Sequence, residues 1–196
     1  YVYRNTNIKE ILGISYRSGA ETIHNPDRPL ESNIDKFRYF DKNYLPDPKR
    51  YPLVSPNHRM ATFKMLFFDV MATRGCPSSC VFCSLKSDKA RFRSVNNIIK
   101  EIEDKIEVTG VRNFTFIDPS LTINKTFVTD LCDRIIEKKL NIKWACYSRV
   151  DIDVELLKVM KKAGLIGVKI ALESGSPRVL KAIKKKISLK HFERFC

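Results

Sequence analysis

An alternation of strand-like and helix-like segments begins near residue 62 and limits the folds open to this 196-residue chain more than any other feature. Short apolar runs are followed by segments in which apolar residues recur at helical spacing, and this pattern occurs four times. Four strand–helix units in succession predict an α/β fold with a parallel sheet, right-handed crossovers and helices on the outside. Periodicity alone leaves open whether the sheet is an open doubly wound sheet or part of a barrel. The predicted strands are residues 63–70, 114–117, 142–148 and 165–172.

Capping residues mark the limits of the predicted helices. Ser94, Asp153 and Ser176 each precede a helical segment, where a side-chain oxygen can accept a backbone N–H. Gly110 and Gly164 each follow one, where glycine readily adopts the left-handed conformation that ends a helix. These capping signals support the same boundaries as the periodicity.

The first sixty residues have a different character. Apolar residues on both sides of Ser18-Gly19 predict a short hairpin. Six prolines between Pro26 and Pro56 disfavour both helix and central strand, so we interpret this stretch as a connector that lies along a surface. We therefore divide the chain into residues 1–60, a preceding segment with its linker, and residues 61–196, which carry the repeats.

The chain is strongly basic, with 36 Lys and Arg against 22 Asp and Glu and a formal net charge of +14. This charge suits an acidic partner such as nucleic acid, phosphate groups or anionic lipid. Lysines that only solvate helices explain the charge equally well, and we interpret Lys181 and residues 184–186 in this way, as the polar face of one helix. No run approaches 18 uncharged apolar residues, so no membrane-spanning segment is expected.

Reactive side chains follow all four predicted strands. In parallel α/β folds the loops after the strands meet at one face, where ligands bind. The first strand leads into a loop with three cysteines, and the others end at Asp118, Arg149 and Glu173. The sequence therefore predicts that thiols, carboxylates and a guanidinium converge at the carboxyl ends of the strands.

The three clustered cysteines, Cys76, Cys80 and Cys83, indicate a metal site. The chain has six cysteines in all, and the long helical patterns argue for reduced thiols, not a disulfide scaffold. Structural zinc normally takes four ligands, whereas a four-iron cube held by three cysteines keeps one iron open. The spacing favours the cluster, and zinc remains an alternative with Cys132 or Cys146 as a fourth ligand.

The cysteine loop, with Phe82 directly before its last cysteine, resembles the signature of the radical S-adenosylmethionine (SAM) enzymes. Segments 116–122, 148–151 and 172–176 are similar to those of the branch that carries an N-terminal cobalamin-binding domain. The resemblance implies a partial TIM barrel in residues 61–196, truncated after about four of its usual six units. It also implies that residues 1–60 are the tail of a cobalamin-binding-like domain with its exit linker. The Asp-x-His-x-x-Gly loop that supplies the cobalt ligand is absent, so cobalamin is expected only of a longer parent protein.

The resemblance implies roles for individual residues. Cys76, Cys80 and Cys83 would bind a [4Fe-4S] cluster, whose open iron would chelate the amino and carboxylate groups of SAM. Phe82 would lie beside the adenine, Glu173 would bind the ribose hydroxyls or the amino group, and Arg149 would neutralise the cofactor carboxylate. Asp118 is a further candidate cofactor-binding residue.

Each of these cofactor-binding residues also has a structural interpretation. Phe82 can be core packing, and Arg149 can pair with a neighbouring carboxylate at a helix start. Glu173 can interact favourably with the dipole of the helix that follows, and Asp118 before a proline can serve turn geometry.

The implied activity is reductive cleavage of SAM to methionine and a 5′-deoxyadenosyl radical that abstracts hydrogen. The leading hypothesis is a cobalamin-associated methyltransferase that acts on an unactivated carbon. The alternatives are methylthiolation of tRNA or ribosomal protein, and a zinc-stabilised nucleic-acid-binding module without catalysis. The resemblance also implies a flavodoxin- or ferredoxin-like electron donor and a reducing cytoplasm. Because four units would leave the last strand as a sheet edge, this piece alone is expected to be poorly soluble or catalytically weak.

Overall fold

The computed structural model describes residues 7–39, 67–87 and 89–195, which form two compact units that divide between Ser32 and Asn33. The boundary predicted at residue 60 falls outside the described residues, as does much of the proline-rich stretch.

The first unit contains an antiparallel hairpin of strands β1 (Ser15–Ser18) and β2 (Glu21–His24). Ser15 and His24 are register partners, and the Ser15 hydroxyl lies 2.7 Å from His24 Nδ1. The hairpin predicted around Ser18-Gly19 is confirmed.

The second unit is built on a four-stranded parallel sheet in the order β3-β6-β7-β8. An α-helix follows each of β6, β7 and β8 before the next strand or the end of the described chain, and the predicted α/β class is confirmed. The strands are β3 (Phe68–Val70), β4 (Thr73–Arg74), β5 (Arg91–Phe92), β6 (Asn113–Phe116), β7 (Lys143–Ser148) and β8 (Leu165–Ile170). The helices are α1 (Val95–Thr109), α2 (Lys125–Glu137), α3 (Val154–Lys162), α4 (Pro177–Ala182) and α5 (Leu189–Phe195).

Two of the three predicted N-caps, Ser94 and Asp153, make side-chain hydrogen bonds, whereas Ser176 precedes α4 without one. Ser94 Oγ accepts the N–H of Asn97 at 3.2 Å at the start of α1, and Asp153 Oδ1 accepts the N–H of Glu155 at 2.8 Å at the start of α3. Gly110 ends α1 with a φ of 71°. None of the described helices is both long and apolar enough to cross a membrane.

The hydrophobic core lies between the sheet and helices α1, α2 and α3. Phe116 of β6 meets Trp144 of β7 edge to face, with 5.3 Å between ring centroids. Both rings are fully buried, and burial of apolar surface is the main stabilising term of such a core. Helix residues that share this core include Ile98, Ile102, Leu131, Cys132 and Met160.

The lysine segment near the end of the chain differs from its interpretation as one helical face. Helix α4 ends at Ala182, and Lys184 takes a φ of 53° in the left-handed region. Lys185 and Lys186 therefore lie in the irregular segment after the helix, and the prediction of a continuous solvated helix face was wrong.

Candidate cofactor site

The cysteine loop is anchored at both ends by a short antiparallel ribbon of β4 and β5. Within the loop, the N–H of Cys76 donates to the carbonyl of Leu85 at 3.0 Å, and the N–H of Ser87 donates back to the carbonyl of Cys76 at 2.9 Å. The N–H of Cys83 donates to the carbonyl of Cys80 at 3.3 Å. Backbone hydrogen bonds thus hold the loop that carries all three thiols at the carboxyl end of β3.

Gly75 is required at the start of this loop. Its φ is +85°, a conformation that L side chains rarely adopt. A Cβ at this position would lie 2.8 Å from the Cβ of Ser87 and 2.9 Å from the carbonyl oxygen of Lys89. The path of the loop into Cys76 therefore depends on the absence of a side chain at residue 75.

A cavity of about 190 Å³ opens at the carboxyl ends of the strands, and we call it the cofactor cavity. It brings together residues that lie up to 111 positions apart in the chain, from Cys76 to Ile187, and among them are six of the seven predicted site residues. Those six are Cys76, Cys80, Phe82, Cys83, Arg149 and Glu173.

The three thiols of the loop form a donor set that suits an iron–sulfur cluster. All three are free, with Cys80 buried and Cys76 and Cys83 half-buried. Among the residues that the structure describes, no group of three or more His, Cys, Asp or Glu side chains is placed so that it could hold a single metal ion. A four-iron cube has its ligands on separate irons, so it takes thiolates that are spread around a cavity.

Cys132 and Cys146, the alternative fourth ligands of a zinc site, lie in the hydrophobic core. Burial raises the pKa of each thiol to about 12. Because the thiolate is the metal ligand, this environment disfavours metal binding at both residues.

Glu173 is held by a basic residue that the sequence analysis did not select. Lys185 Nζ donates to Glu173 Oε1 at 2.8 Å, and the same ammonium lies 6.0 Å from the ring centroid of Phe82. Glu173 itself has a φ of 70°, and such left-handed backbone at a non-glycine residue is often found at functional sites. Phe82 is 54% exposed and lines the cavity, so its ring is not part of the core.

Arg149 ties three segments together at the cavity. Its Nε lies 3.3 Å from Asp151 Oδ1, its Nη1 donates to the hydroxyl of Ser78 at 3.4 Å, and its Nη2 donates to the carbonyl of Lys186. The cysteine loop contacts the same segment after α4, because the N–H of Val81 donates to the carbonyl of Ile183 at 3.1 Å. The pairing of Arg149 with a neighbouring carboxylate is therefore present, while its side chain also lines the cavity.

Asp118 stands apart from the other predicted site residues. Its carboxylate is 1% exposed and accepts N–H groups from Ala72, at 2.9 Å, and from Thr73. Burial raises the pKa of this carboxyl, although hydrogen bonds from the Thr73 side chain and from the backbone oppose the shift. These contacts join the exit of β3 to the exit of β6, and its assignment as a cofactor-binding residue stays a prediction.

Two further residues of the cavity wall were missed by the sequence analysis. Tyr147 and Lys169 are register partners on β7 and β8, and Lys169 Nζ lies 5.0 Å from the tyrosine ring centroid. A lysine in the middle of the apolar run 165–172 was the available signal. Lys185 carried no comparable signal, because it stands in a lysine-rich segment.

Comparison with known proteins gives a family match over most of the chain. The model of the radical SAM superfamily matches residues 70–196. A solved structure, that of the apo form of the cobalamin-dependent S-adenosylmethionine radical enzyme OxsB, is similar with a TM-score of 0.64 at 20% identity. That likeness covers 97% of this chain and 28% of the other, and it supports the predicted partial-barrel fold.

Curated relatives align with nearly the whole chain. An uncharacterized methyltransferase of Pyrococcus horikoshii is 33% identical over 189 residues, which cover 94% of this chain and 39% of that protein. The anaerobic magnesium-protoporphyrin IX monomethyl ester cyclase of Cereibacter sphaeroides is 26% identical over 193 residues, which cover 92% of this chain and 29% of that protein. This chain thus spans well under half the length of these two relatives.

Proposed function

This chain belongs to the radical SAM superfamily, and we propose that it is the cofactor-binding core of a carbon-modifying enzyme, a cobalamin-associated methyltransferase. The family implies SAM and an iron–sulfur cluster as cofactors. The observation that carries the proposal is the cofactor cavity, where the three thiols of one loop meet Glu173 and Arg149 at the carboxyl ends of parallel strands.

The residues of the cavity fit these cofactors by their chemistry. Cys76, Cys80 and Cys83 would bind three irons of a [4Fe-4S] cluster as thiolates. When bound, such a cluster supplies the electron for reductive cleavage of SAM to methionine and a 5′-deoxyadenosyl radical. Arg149 would bind the carboxylate of SAM, since its guanidinium is a fixed cation with several donors.

Glu173 and Phe82 would orient the nucleoside part of SAM. The Glu173 carboxylate can accept hydrogen bonds from ribose hydroxyls or from the amino group, and the exposed ring of Phe82 can stack on the adenine. Lys185 holds the carboxylate in place through its hydrogen bond to Oε1. Binding of SAM in this cavity would also exclude water from the reacting atoms.

Methyl transfer is proposed as the reaction because the relative from Pyrococcus horikoshii bears the name methyltransferase. Cobalamin is proposed as a partner of the reaction because the similar enzyme OxsB is described as cobalamin-dependent. We further propose that residues 1–60 connect the core to a cobalamin-binding domain, and that a flavodoxin- or ferredoxin-like protein supplies electrons.

Metal analysis of the intact protein, purified and reconstituted without oxygen, tests the cluster. We expect a brown protein with about four irons and four sulfides per chain. Cys80→Ala should lose iron and colour, because it removes one of three ligands. Cys132→Ala is the matched control and should retain iron, because this cysteine lies in the core away from the cavity. A colourless protein with stoichiometric zinc would support the zinc alternative and contradict the proposal.

The radical chemistry has its own test. Under reducing conditions and with the cluster intact, 5′-deoxyadenosine should form from SAM in amounts that can be compared with product. Its strict absence would contradict the radical mechanism even if the cluster were present.

A further inference from the structure

A second cavity, of about 340 Å³, adjoins the cofactor cavity, and Ser78, Ser120 and Arg149 line both. The charged side chains of the second cavity are Arg149, Lys184, Lys186 and Asp151, which is three cations against one carboxylate. The carboxylate of Asp151 is 3.3 Å from Arg149 Nε, so it offsets only part of the positive charge. The second cavity is therefore an electropositive, partly enclosed space beside the proposed SAM site.

The buried hydroxyl of Ser120 offers a polar group to a ligand at this wall. The residue is 4% exposed, and its hydroxyl is buried without a hydrogen-bond partner among the residues that the structure describes. A buried hydroxyl that makes no hydrogen bond destabilises a fold, so such groups usually have a partner. A polar ligand in the second cavity would supply one.

Lys184 provides a second, independent indication that the second cavity binds a ligand. It lies two residues after the last residue of α4, and its φ is 53°. Its N–H donates to the carbonyl of Lys181 at 3.1 Å, and the next N–H, of Lys185, donates to the carbonyl of Leu180 at 3.0 Å. Glycine is the residue favoured in this left-handed helix-end position, because it takes the conformation without strain. The chain instead carries there a lysine that lines the second cavity.

We propose that the second cavity binds an oxyanion group, a phosphate or a carboxylate, of the molecule that the enzyme modifies. The ammonium groups of Lys184 and Lys186 donate hydrogen bonds and accept none, the hydroxyls of Ser78 and Ser120 add two more donors, and the guanidinium of Arg149 adds positive charge between the two cavities. Because Arg149 and both serines line the two cavities, an oxyanion bound here would anchor the substrate beside SAM. The proposal rests on the proposed function for the identity of the reaction, but the oxyanion site itself does not require the cluster.

Binding of inorganic phosphate, and separately of acetate, to the intact protein tests this site by calorimetry. The double variant Lys184→Gly with Lys186→Gln should weaken binding of the preferred anion at least tenfold, roughly the effect of losing one or two charge-assisted hydrogen bonds. Lys184→Gly removes a left-handed lysine from the backbone, so its melting temperature should stay equal or rise, and unfolding cannot explain the loss. The control pair Lys181→Gln with Lys190→Gln removes the same charge from exposed helix positions outside both cavities and should change affinity less than about twofold.

Ser120→Ala tests whether the buried hydroxyl binds a ligand or is only an unsatisfied group of the fold. Removal of the unpartnered hydroxyl should keep or raise the melting temperature and yet weaken phosphate or acetate binding severalfold. Loss of stability with unchanged anion affinity would contradict the role given to Ser120.

The same titrations, repeated with SAM present, distinguish an oxyanion of the substrate from the carboxylate of SAM. Phosphate or acetate that still binds to the SAM-saturated protein supports a separate substrate subsite, and the tighter anion identifies its preferred group. Full competition by SAM would overturn the proposal, because the cavity would then hold the carboxylate of the cofactor. Equal weakening in the control pair, or no binding of either anion, would also overturn it. Iron content, measured on the same samples, reports on the proposed function separately.

Discussion

Lys185 Nζ lies 2.8 Å from Glu173 Oε1 in the cofactor cavity, and this pair links the segment after α4 to the carboxyl end of β8. The lysine side chain is 12% exposed and that of the glutamate is 35% exposed, so the pair is shielded more than a surface ion pair. Glu173 also has a left-handed backbone, and the ammonium of Lys185 holds its carboxylate. Lys185 is thus a positioning residue for the proposed SAM-binding carboxylate.

Removal of the ammonium should therefore reduce affinity for SAM. We expect Lys185→Met and Glu173→Gln each to weaken equilibrium binding of SAM by roughly tenfold, the effect of one charge-assisted hydrogen bond. The effects of the two changes on SAM affinity should be non-additive, because Lys185 is expected to act only through the carboxylate of Glu173. Lys181→Met, on the exposed side of α4, is the matched control and should bind SAM as the unmodified protein does. Additive losses would show that Lys185 acts independently of Glu173.

Gly75 should be indispensable for the cysteine loop. Alanine at this position would meet the Cβ of Ser87 at 2.8 Å in a conformation that it rarely adopts, so the loop must shift. We expect Gly75→Ala to lower iron bound per chain strongly and to reduce the unfolding free energy by about 1–3 kcal/mol. Gly19→Ala is the control, since Gly19 has a φ of +61° and no atom within 4 Å of the added Cβ. It should cost about 1 kcal/mol of strain and leave iron unchanged; a fall in iron in both variants would contradict the steric argument.

The sheet and its helices could be predicted because their signals are local. Ser94, Gly110 and Asp153 act on backbone groups within four residues along the chain, and the sequence shows such neighbours directly. The order of the strands follows from the same alternation, because consecutive strand–helix units usually place successive strands side by side.

The partners at the site could not be predicted, because they depend on tertiary contacts. The carboxylate of Asp118 accepts the N–H of Ala72, 46 residues earlier, and the sequence offers no way to distinguish that partner from a cofactor. Lys185 was missed because α4 has neither glycine nor proline after Ala182 to mark its end. The turn brings the lysine to Glu173 only through a left-handed residue at Lys184.

Removal of the Glu101 carboxylate should destabilise the fold strongly. Glu101 is 3% exposed and lies 2.5 Å from Arg93 Nη1 and 2.5 Å from Lys105 Nζ, both of which are also buried. Glu101→Gln would leave two buried cations without their carboxylate, so we expect a loss of about 3–5 kcal/mol in the unfolding free energy. Urea denaturation at neutral pH measures it, with Glu107→Gln on the exposed face of the same helix as control. A loss no larger than in that control would show that the two cations find other acceptors.

The buried carboxyl of Asp118 should make stability depend on pH in a defined direction. Its pKa in the folded protein is raised above 3.8, chiefly by burial, so between these two values the folded state binds more protons than the unfolded state. Stability from this group is then fully present below pH 3.8 and is lost as the pH rises through the folded pKa.

Asp118→Asn isolates that effect, because the amide oxygen can still accept from both Ala72 and Thr73 but does not titrate. We expect the unfolding free energy of the unmodified protein, minus that of the variant, to decrease as the pH is raised from about 4 to 7. Urea denaturation of both proteins at several pH values measures this difference, and Asp130→Asn, an exposed carboxylate of α2, controls for net charge. A difference that increases with pH would mean that the backbone N–H groups stabilise the carboxylate more than burial penalises it. In that case Asp118 would be ionised where it joins the exits of β3 and β6.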